Sequence, residues 1–520
     1  MEPLMPVIKK EYEMKKFVLS QAHLEKRKQR KRFVLRDDIF CTVLQQKMCV
    51  KDYFDFSFSF PDEVDKVIID GMYSGDWHSV YESEILPLRR NPMLARFRGA
   101  GVDIFGEWIK HVHGRNKECW LTYRISEVDV DEDVNPLPIK KEHPEWFIPA
   151  FGFTMNNMAV SEIRQHKLKV AAEVMRKYDF DGLDIDFERH TPILPVGKQW
   201  EKRECVTEFM RELRAELLKI GTEQGRVIML SARVPDCLDG CHQDGLDIEE
   251  WIKEDLVDCL TLGSRSFDIK AEEFRALTND VQLYACYDPY HTVDGYFAPP
   301  LETLRGIWYS HLQRGADAVE YFNWSGQGKK EMVAHYAHLY GMDPQKEDYA
   351  QFCSEDFTGV NDKSFLETQD KTYVIDRRGG YPWGIGYGNL NADRQLPCLI
   401  ERDGQVRLYV AENIKNAKKA KLKLLFDELP EIPEIYFNGQ KLSFTAQPHR
   451  DMQVTAEKEP PISGHPVNLR LARNDDHSKP CTLLVADLTG IETEVGYNII
   501  CVSTKTTVSL EKVELEVKMI

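Results

Sequence analysis

The eight residues from 181 to 188 constrain this chain more than any other segment. They read Asp-Gly-Leu-Asp-Ile-Asp-Phe-Glu, so acidic and apolar residues alternate over most of the stretch. Successive side chains of a β-strand point to opposite faces, so the acids should share one face and the apolar residues the other. The acids on the shared face are Asp184, Asp186 and Glu188, and the apolar residues opposite them are Leu183, Ile185 and Phe187. The pattern predicts a strand that is packed on one side and carries charge on the other.

A helix is predicted immediately before this strand. Apolar residues recur near helical spacing between Glu162 and Lys177, and the pattern stops at Tyr178-Asp179. A helix that leads directly into a strand with one acidic face is typical of an α/β barrel with a polar site in its lumen. The alternative is a solvated acidic edge strand, which is disfavoured because like charges repel along one strand without intervening Lys or Thr.

A second copy of the first five letters of this segment occurs at residues 244 to 248. It continues into Glu249-Glu250-Trp251-Ile252, so Glu250 follows Asp247 in the arrangement of a helix N-cap with a capping box. We therefore expect the second copy to be structural.

Short apolar stretches alternate with helical patterns from Phe33 onward, as expected of repeated βα units around a parallel sheet. The predicted strands lie near Phe33–Leu35, Val67–Ile69, Cys119–Tyr123, Leu183–Phe187, Val227–Ala232, Val257–Leu262, Gln282–Cys286 and Ala318–Phe322. A helix from Lys330 to Leu339 would complete the last unit. The predicted fold class is therefore α/β, with a (β/α)8 TIM barrel over residues 33–345.

The hydrophobic period changes to two beyond about residue 345. Alternating or apolar runs occur at Val406–Val410, Lys421–Leu425, Cys481–Val485 and Val513–Val517. Asn438-Gly439 separates two further apolar runs and is a strong signal for a hairpin turn. Residues 346–520 are therefore predicted to form an all-β sandwich of the jelly-roll kind, with the final run paired inside it.

Residues 1–32 are predicted to form an N-terminal arm. Its basic cluster, Glu25–Arg32, is interpreted as a solvated helix, with contact to nucleic acid as the weaker alternative. The formal charge of −17 argues against a general affinity for nucleic acid or anionic membranes. Neither a transmembrane run nor the apolar core of a signal peptide is found, which favours a cytoplasmic location. The sequence leaves the oligomeric state open.

Metal and cofactor chemistry are poorly supported. The chain contains no GxSxG, HExxH or P-loop motif. Its twelve cysteines form no CxxC pair, and Cys237 and Cys241 beside His242 fall short of a full tetrahedral zinc set. His111 and His113 precede the third predicted strand, at the wrong end of a barrel for a catalytic metal. No cofactor and no metal are therefore expected.

Polar and aromatic residues follow several predicted strands at the end where a barrel carries its active site. These candidates for substrate binding are Arg124, Arg189, His190, Arg233, Asp236, Asp288, Asn323 and Trp324. Each alone is more often a helix cap, a turn residue or an ion-pair partner. Together they supply hydrogen-bonding groups for hydroxyls and an aromatic face for a ring, so a carbohydrate substrate is predicted.

The acidic octet resembles the DxxDxDxE signature of family 18 glycoside hydrolases, the chitinases and their relatives. In that family the final Glu is the proton donor and the preceding Asp orients the substrate acetamide. The resemblance therefore implies these roles for Glu188 and Asp186. The likeness is local, since the strand Cys119–Arg124 lacks the family's SxGG stretch and Ala285–Asp288 only loosely matches its tyrosine motif.

A larger part of the chain is similar to the family-10-like glycosyl hydrolase proteins of environmental and gut bacteria. The segments that carry this resemblance are His143–Glu145, Asn157–Arg164, Tyr178–Gly182, Asp186–His190, Ala232–Asp236, Gly315–Ala318 and Phe322–Asn323. They span most of residues 33 to 345. This resemblance implies a barrel glycosidase, and it ranks Asp186 above Glu188 because those relatives usually have an apolar residue at the latter position.

The resulting hypothesis is a glycoside hydrolase that cleaves an oligo- or polysaccharide by carboxyl general acid catalysis at the C-terminal face of the barrel. The catalytic candidates are Asp186, Glu188 and Asp184. Neighbouring carboxylates and burial both raise a carboxyl pKa, so Glu188 is the expected proton donor. The second role is left open between Asp186, Asp236 and Asp288. The competing hypothesis is a catalytically inactive carbohydrate-binding barrel in which acids and arginines neutralise one another.

Overall fold

Eight parallel strands form a closed barrel in the computed structural model of this chain. We label them β1 to β8, and their bounds are Phe33–Asp38, Lys66–Met72, Glu118–Arg124, Gly182–Asp186, Met229–Val234, Cys259–Leu262, Gln282–Tyr287 and Ala318–Tyr321. Each pairs with the next one along the chain, and β8 closes the ring onto β1 through the pairs Phe33–Val319 and Leu35–Tyr321. All eight predicted strands and the barrel are confirmed, with differences of a few residues at strand ends.

The structure describes most of the chain, namely residues 16–31, 33–39, 47–72, 77–126, 138–150, 153–189, 191–263, 266–287, 296, 299–322, 324, 357–375, 395–427, 429–451, 454–457, 468–471 and 479–519. The helix predicted from Lys330 to Leu339 lies outside these ranges. No helix within them is long and apolar enough to cross a membrane. The predicted divisions of the chain after residues 32 and 345 stay predictions.

Helices lead from one barrel strand to the next. The helices, including those outside the barrel, are Gln21–Lys28, Val50–Ser57, Pro92–Gly99, Ile104–Gly114, Pro138–Glu142, Ser161–Lys177, Gln199–Gln224, Leu238–Asp244, Ile248–Lys253, Ala271–Leu277, Leu301–Gln313 and Lys363–Thr368, with 3-10 turns at Pro144–Trp146 and Ile414–Asn416. A short antiparallel hairpin, Phe147–Ala150 with Phe153–Asn156, follows β3. The helix predicted before β4 is confirmed as Ser161–Lys177, and it buries Ile163, Val170, Val174 and Met175.

Side chains fill the lumen in layers, so the barrel is a packed core and not a pore. The layer nearest the N-terminal ends of the strands is largely apolar and contains Val34, Ile68, Trp120, Met229, Cys259, Tyr284 and Ala318. Gly182 is required beside it, because a Cβ atom there would lie 2.6 Å from the Trp120 ring. The Lys66 ammonium group covers the same ring at 3.3 Å from its centroid.

The alternation of the acidic octet is confirmed within β4. Asp184 and Asp186 face polar partners in the lumen. Leu183 and Ile185 belong to the hydrophobic core that the strands share with the helices. All four side chains are fully buried. The strand ends at Asp186, so Glu188 lies in the turn that follows it.

The helix of the N-terminal arm packs against the base of the barrel. His23 Nε2 lies 3.0 Å and Arg27 Nε 2.8 Å from the Asp258 carboxylate. Lys26 Nζ donates to Asp181 at 3.1 Å. Arg27 is only 3% exposed, so the expectation of a solvated helix is wrong for the face that meets the barrel, while Glu25, Lys28 and Arg30 of the basic cluster are exposed. The reason is charge complementarity, because the acids that His23, Lys26 and Arg27 contact stand immediately before β4 and β6.

Two antiparallel sheets form the β-sandwich that follows the barrel. The first contains, in spatial order, Lys371–Val374, Val508–Lys518, Lys419–Phe426, Lys479–Asp487 and Thr445–Asp451, with Cys398–Ile400 also paired to Val508–Lys518. The second contains Asp403–Val410, Gly496–Ser503, Glu434–Phe437 and Gln440–Lys441, and a separate pair is formed by Val454–Glu457 and Asn468–Leu471. Asn438 and Gly439 form the predicted hairpin turn with φ values of 48° and 81°, the left-handed values that a type I′ turn requires.

The sandwich is docked closely on the barrel. Gly306, in helix Leu301–Gln313, lies against strand Lys371–Val374, and a Cβ atom there would lie 2.2 Å from the Thr372 carbonyl oxygen. Gln313 Nε2 donates to the Ala411 carbonyl at 3.2 Å. Only glycine allows the helix and the strand to approach this closely.

The second copy of the octet letters is structural, as predicted. Asp247 caps helix Ile248–Lys253, and its Oδ1 accepts from the Glu250 N–H at 3.2 Å. We expect Asp247→Ala to lower the free energy of unfolding by about 1 kcal/mol, because the first turn of the helix loses an acceptor. Urea unfolding measures this loss, and Asp247→Asn, which keeps an acceptor, is the matched control. A loss of catalytic rate at an unchanged melting temperature would contradict the assignment.

Candidate active site

Asp184 lies in a polar layer at mid-height of the lumen. Its carboxylate accepts from Arg36 Nη1 at 2.8 Å and from Thr122 Oγ1 at 2.6 Å, and also from the Ser231 hydroxyl. Arg36 donates in addition to Glu320 at 2.7 Å. Every one of these side chains is at most 1% exposed. Asp184 lies two residues before the end of β4 and is enclosed by Arg36, Thr122 and Ser231, so its environment is that of a structural ion pair, and the catalytic role predicted for it is not carried into the proposal below.

Asp186 is the last residue of β4 and is held from two sides. Arg233 Nη1 donates to its Oδ2 at 2.7 Å, while the backbone N–H groups of Glu188 and Arg189 both donate to its Oδ1 at 3.0 Å. Burial alone would raise the pKa of Asp186, but the positive charges of Arg233, Arg36 and Arg124 outweigh it and leave the pKa below its ordinary value. Asp186 is therefore a fixed, ionised carboxylate.

Glu188 shares its partner with Asp186. Arg233 Nη2 donates to Glu188 Oε2 at 2.7 Å, and the same guanidinium packs 4.6 Å from the Phe322 ring centroid. Both charged residues are almost completely buried. Contact with a guanidinium favours the charged form of a carboxyl group, and a proton donor must be uncharged. The role of Glu188 as the acid stays a prediction, and its ion pair with Arg233 is an argument against it.

A second group of charges stands at the same end of the barrel, where β1, β2 and β3 finish. Arg124 Nη2 lies 3.0 Å from Asp38 Oδ2 and also forms an ion pair with Asp70. Burial raises the pKa of Asp70 to about 7; Arg124 opposes the rise, and the negative charges of Asp38 and Asp186 add to it. The sequence-based candidates included Arg124 but neither aspartate. Their position at the ends of the first two strands was the signal that could have found them.

Asp236 follows β5, and its carboxyl group contacts no cationic side chain in the part of the chain that the structure describes. Burial raises the pKa of Asp236 to about 6, and the negative charges of Glu188 and Asp268 contribute to the rise. Hydrogen bonds with Ser266 and Cys237 oppose it. The side chain is 7% exposed. Asp236 is therefore a carboxyl group that holds its proton nearly to neutral pH beside a cluster of ionised groups.

The other predicted site residues fall into two groups. Arg189 contributes its backbone N–H to Asp186, and Trp324 is 5% exposed and packs edge-on against Tyr321 and Phe357. The candidates His190, Asp288 and Asn323 lie outside the described residues.

The histidines and cysteines considered as metal ligands have other partners. His111 stacks on Phe58 at 3.8 Å, His113 contacts Asp181 at 2.8 Å, and His242 contacts Glu249 at 2.9 Å. Cys237 caps helix Leu238–Asp244. Across the described part of the chain, no group of three or more His, Cys, Asp or Glu side chains is arranged to hold a metal ion.

No protein-family model matches this chain, and no curated protein sequence matches it either. The family resemblances drawn from the motifs therefore stay expectations.

Several solved structures are similar to this chain at low identity. An alpha-amylase from Anoxybacillus is 11% identical over 92% of this chain and 98% of its own, with a TM-score of 0.36. A cycloisomaltooligosaccharide glucanotransferase from Paenibacillus sp. is 9% identical over 93% of this chain, which spans 57% of that protein, with a TM-score of 0.32. A family 18 N-acetylglucosaminidase from Paenibacillus barengoltzii is 10% identical over 56% of this chain and 67% of its own, with a TM-score of 0.30. Similarity at this level leaves the activity to be argued from the residues of the site.

Proposed function

We propose that this chain is a glycoside hydrolase in which Asp236 donates the proton and Asp186 is the ionised carboxylate. The observation that carries the proposal is that two carboxyl groups at one end of the barrel have pKa values displaced in opposite directions. Hydrolysis of a glycosidic bond requires this division, because one carboxyl group must protonate the leaving oxygen while another is charged. The sequence resemblances to barrel glycosidases support the same reaction.

Each residue of the site has a distinct task in this reaction. Asp236 gives its proton to the departing glycosidic oxygen as the bond breaks. Asp186 places its negative charge beside the positive charge that develops on the sugar ring. Arg233 and the two backbone N–H groups hold Asp186 in position and keep it ionised.

Asp70 is the alternative proton donor because its pKa is also raised. Its carboxyl group forms an ion pair with Arg124, which favours the charged form, whereas Asp236 contacts no cationic group of the described residues and is slightly exposed. A proton donor must be uncharged, so we assign the role to Asp236.

The test is hydrolysis of a panel of aryl glycosides and polysaccharides by the wild type and by Asp236→Asn. We expect kcat/KM of the wild type to fall as pH rises through about 6, because Asp236 then loses the proton it must donate. Asp236→Asn should lower kcat by about 10²- to 10⁴-fold on substrates with poor leaving groups. An unchanged pH profile in that variant would contradict the assignment.

The stability of the same variant provides an independent readout. The unfolded chain releases the Asp236 proton near its ordinary pKa of 3.8 and the folded chain near 6, so the contribution of this group to stability falls as pH rises between these values. A displacement of about 2 pH units corresponds to about 3 kcal/mol. Asp236→Asn should therefore raise the melting temperature at pH 7 and leave it nearly unchanged at pH 4.

A carbohydrate-binding barrel without catalytic activity is the second candidate. The observation that favours it is that acids and arginines of the site neutralise one another, as in the pairs of Arg233 with Glu188 and of Arg124 with Asp38. The same panel separates the two functions, because saturable binding of an oligosaccharide without hydrolysis at any pH would support the second and overturn the first.

A further inference from the structure

The loop after β6 is attached to the proposed proton donor. The Lys270 N–H donates to the Asp236 carbonyl at 2.9 Å, and Ser266 forms a hydrogen bond with the Asp236 side chain. Gly263 belongs to the same contact, because a Cβ atom there would lie 3.0 Å from the Asp236 Cβ. Any displacement of this loop would therefore change the surroundings of the Asp236 carboxyl group.

The sandwich holds the other side of this loop. The Tyr497 hydroxyl donates to the Asp268 carboxylate, at 2.9 Å from Oδ1 and 3.1 Å from Oδ2. Arg314, which ends helix Leu301–Gln313, pairs with the same carboxylate. The Arg314 guanidinium lies 3.9 Å from the Tyr409 ring centroid and 5.0 Å from that of Tyr497. Two tyrosines of the sandwich thus enclose an ion pair of the barrel.

Asp268 links the two contacts through its backbone. Its N–H donates to Ser266 Oγ at 3.1 Å, so this oxygen acts as an acceptor and the Ser266 hydroxyl can donate to the Asp236 carboxyl. Asp268 therefore connects Tyr497 of the sandwich, which binds its carboxylate, to Ser266, which accepts from its backbone N–H and bonds to Asp236.

We propose that Tyr497 is a positioning residue for Asp236, so that the sandwich completes the active site of the barrel. This inference rests on the proposed function, in which Asp236 is the proton donor. Tyr497 touches none of the reacting groups and acts through Asp268 and Ser266. The sandwich then has a role in catalysis that does not depend on binding carbohydrate itself.

The direction of the effect follows from the charges around Asp236. Among the described residues, the ionisable groups that most affect it are Glu188, Cys237 and Asp268, with Glu273 beyond the cysteine and Arg314 paired to Asp268. Removing the Tyr497 hydroxyl leaves the Asp268 carboxylate less well compensated and releases one restraint on Ser266. The first change increases the negative potential at Asp236, and the second weakens a hydrogen bond that favours its ionised form. Both changes raise its pKa.

The experiment compares Tyr497→Phe with Tyr409→Phe. Both variants keep an aromatic ring at the interface, but the Tyr409 hydroxyl makes no hydrogen bond to a described residue, whereas Tyr497 loses its bond to Asp268. We expect the alkaline limb of the pH profile of kcat/KM to move upward by about 0.5 to 1 pH unit in Tyr497→Phe and to stay unchanged in Tyr409→Phe. Ser266→Ala should reproduce the shift with the interface intact.

A second readout does not depend on activity. Each variant is compared with a double variant that also carries Asp236→Asn, and both melting temperatures are measured across a range of pH. The difference between the two melting temperatures reports the ionisation of Asp236 alone. In Tyr497→Phe, the pH at which this difference changes should move upward. Such a shift supports the inference even if the panel reveals no hydrolysis, in which case only the proposed function fails. No shift, or an equal shift in Tyr409→Phe, would overturn the inference and leave the proposed function standing.

Discussion

Asp186→Asn should lower kcat/KM by about 10³- to 10⁴-fold while the protein stays folded. The change removes the negative charge that the proposed mechanism places beside the sugar but keeps the shape of the side chain. Arg233 retains Glu188 as a charged partner at 2.7 Å, so the buried guanidinium is not left unpaired. Rates and thermal melting should be measured on the same samples, because the expected loss of rate is far larger than the expected loss of folded protein.

Asp184→Asn is the matched control for this variant, since it makes the same chemical change two residues earlier on the same strand. Arg36 keeps Glu320 as a charged partner just as Arg233 keeps Glu188, so this variant should change the melting temperature by a similar amount and affect the rate per folded molecule much less. Full activity in folded Asp186→Asn would show that the site has been assigned to the wrong carboxyl groups.

Deletion of the strand Val508–Lys518 should unfold the whole sandwich. This strand pairs with three others in the first sheet, and its inward-facing side chains are all at most 2% exposed. They are Val508, Leu510, Val513, Leu515 and Val517. Burial contributes about 1.5 to 3 kcal/mol for each such side chain, so their joint loss equals or exceeds the stability of a typical domain.

Far-UV circular dichroism and limited proteolysis would measure this effect. The antiparallel β signal should fall, and sites within residues 395–451 should become accessible to protease. A shortened chain that lacks only residues 519–520 is the control and should remain folded. If the deleted form keeps a protected sandwich, the strand contributes far less than its burial indicates.

The barrel was predictable because the patterns that define its strands and helices lie within short segments of the sequence. The apolar face of β4 and the helix before it both have periods that a single segment displays. The change to a two-residue period likewise predicted the sandwich, and Asn438-Gly439 predicted its hairpin. The capping role of Asp247 was readable for the same reason, since its partner Glu250 is three residues away.

The chemistry of the site was only partly predictable because it depends on partners that are distant in sequence. The octet made Asp186 a candidate, but the surroundings of Glu188 depend on Arg233, which comes from the next strand of the barrel, 45 residues away. In the sequence, Asp38 and Asp70 are two acids near strand ends with no visible partner. Only the pairing of the strands in the barrel places both beside Arg124. The pKa of a carboxyl group follows from such neighbours and from burial, and neither can be read from the segment that contains it.

The docking of the N-terminal arm determines where a minimal form of this protein can begin. Asp258 is fully buried and is shared by His23 and Arg27 of the arm and by Arg214 of the barrel. A shortened form starting at β1 would retain every strand of the ring but would remove two of these three partners. A buried carboxylate left without any cation costs on the order of 3 kcal/mol, and here Arg214 alone remains, at 2.8 Å, to limit the loss. A shortened form for protein engineering should therefore keep the arm from His23 onward. The ionic contacts of this arm with Asp258 lie beneath the barrel, although the arm itself precedes β1 in the sequence.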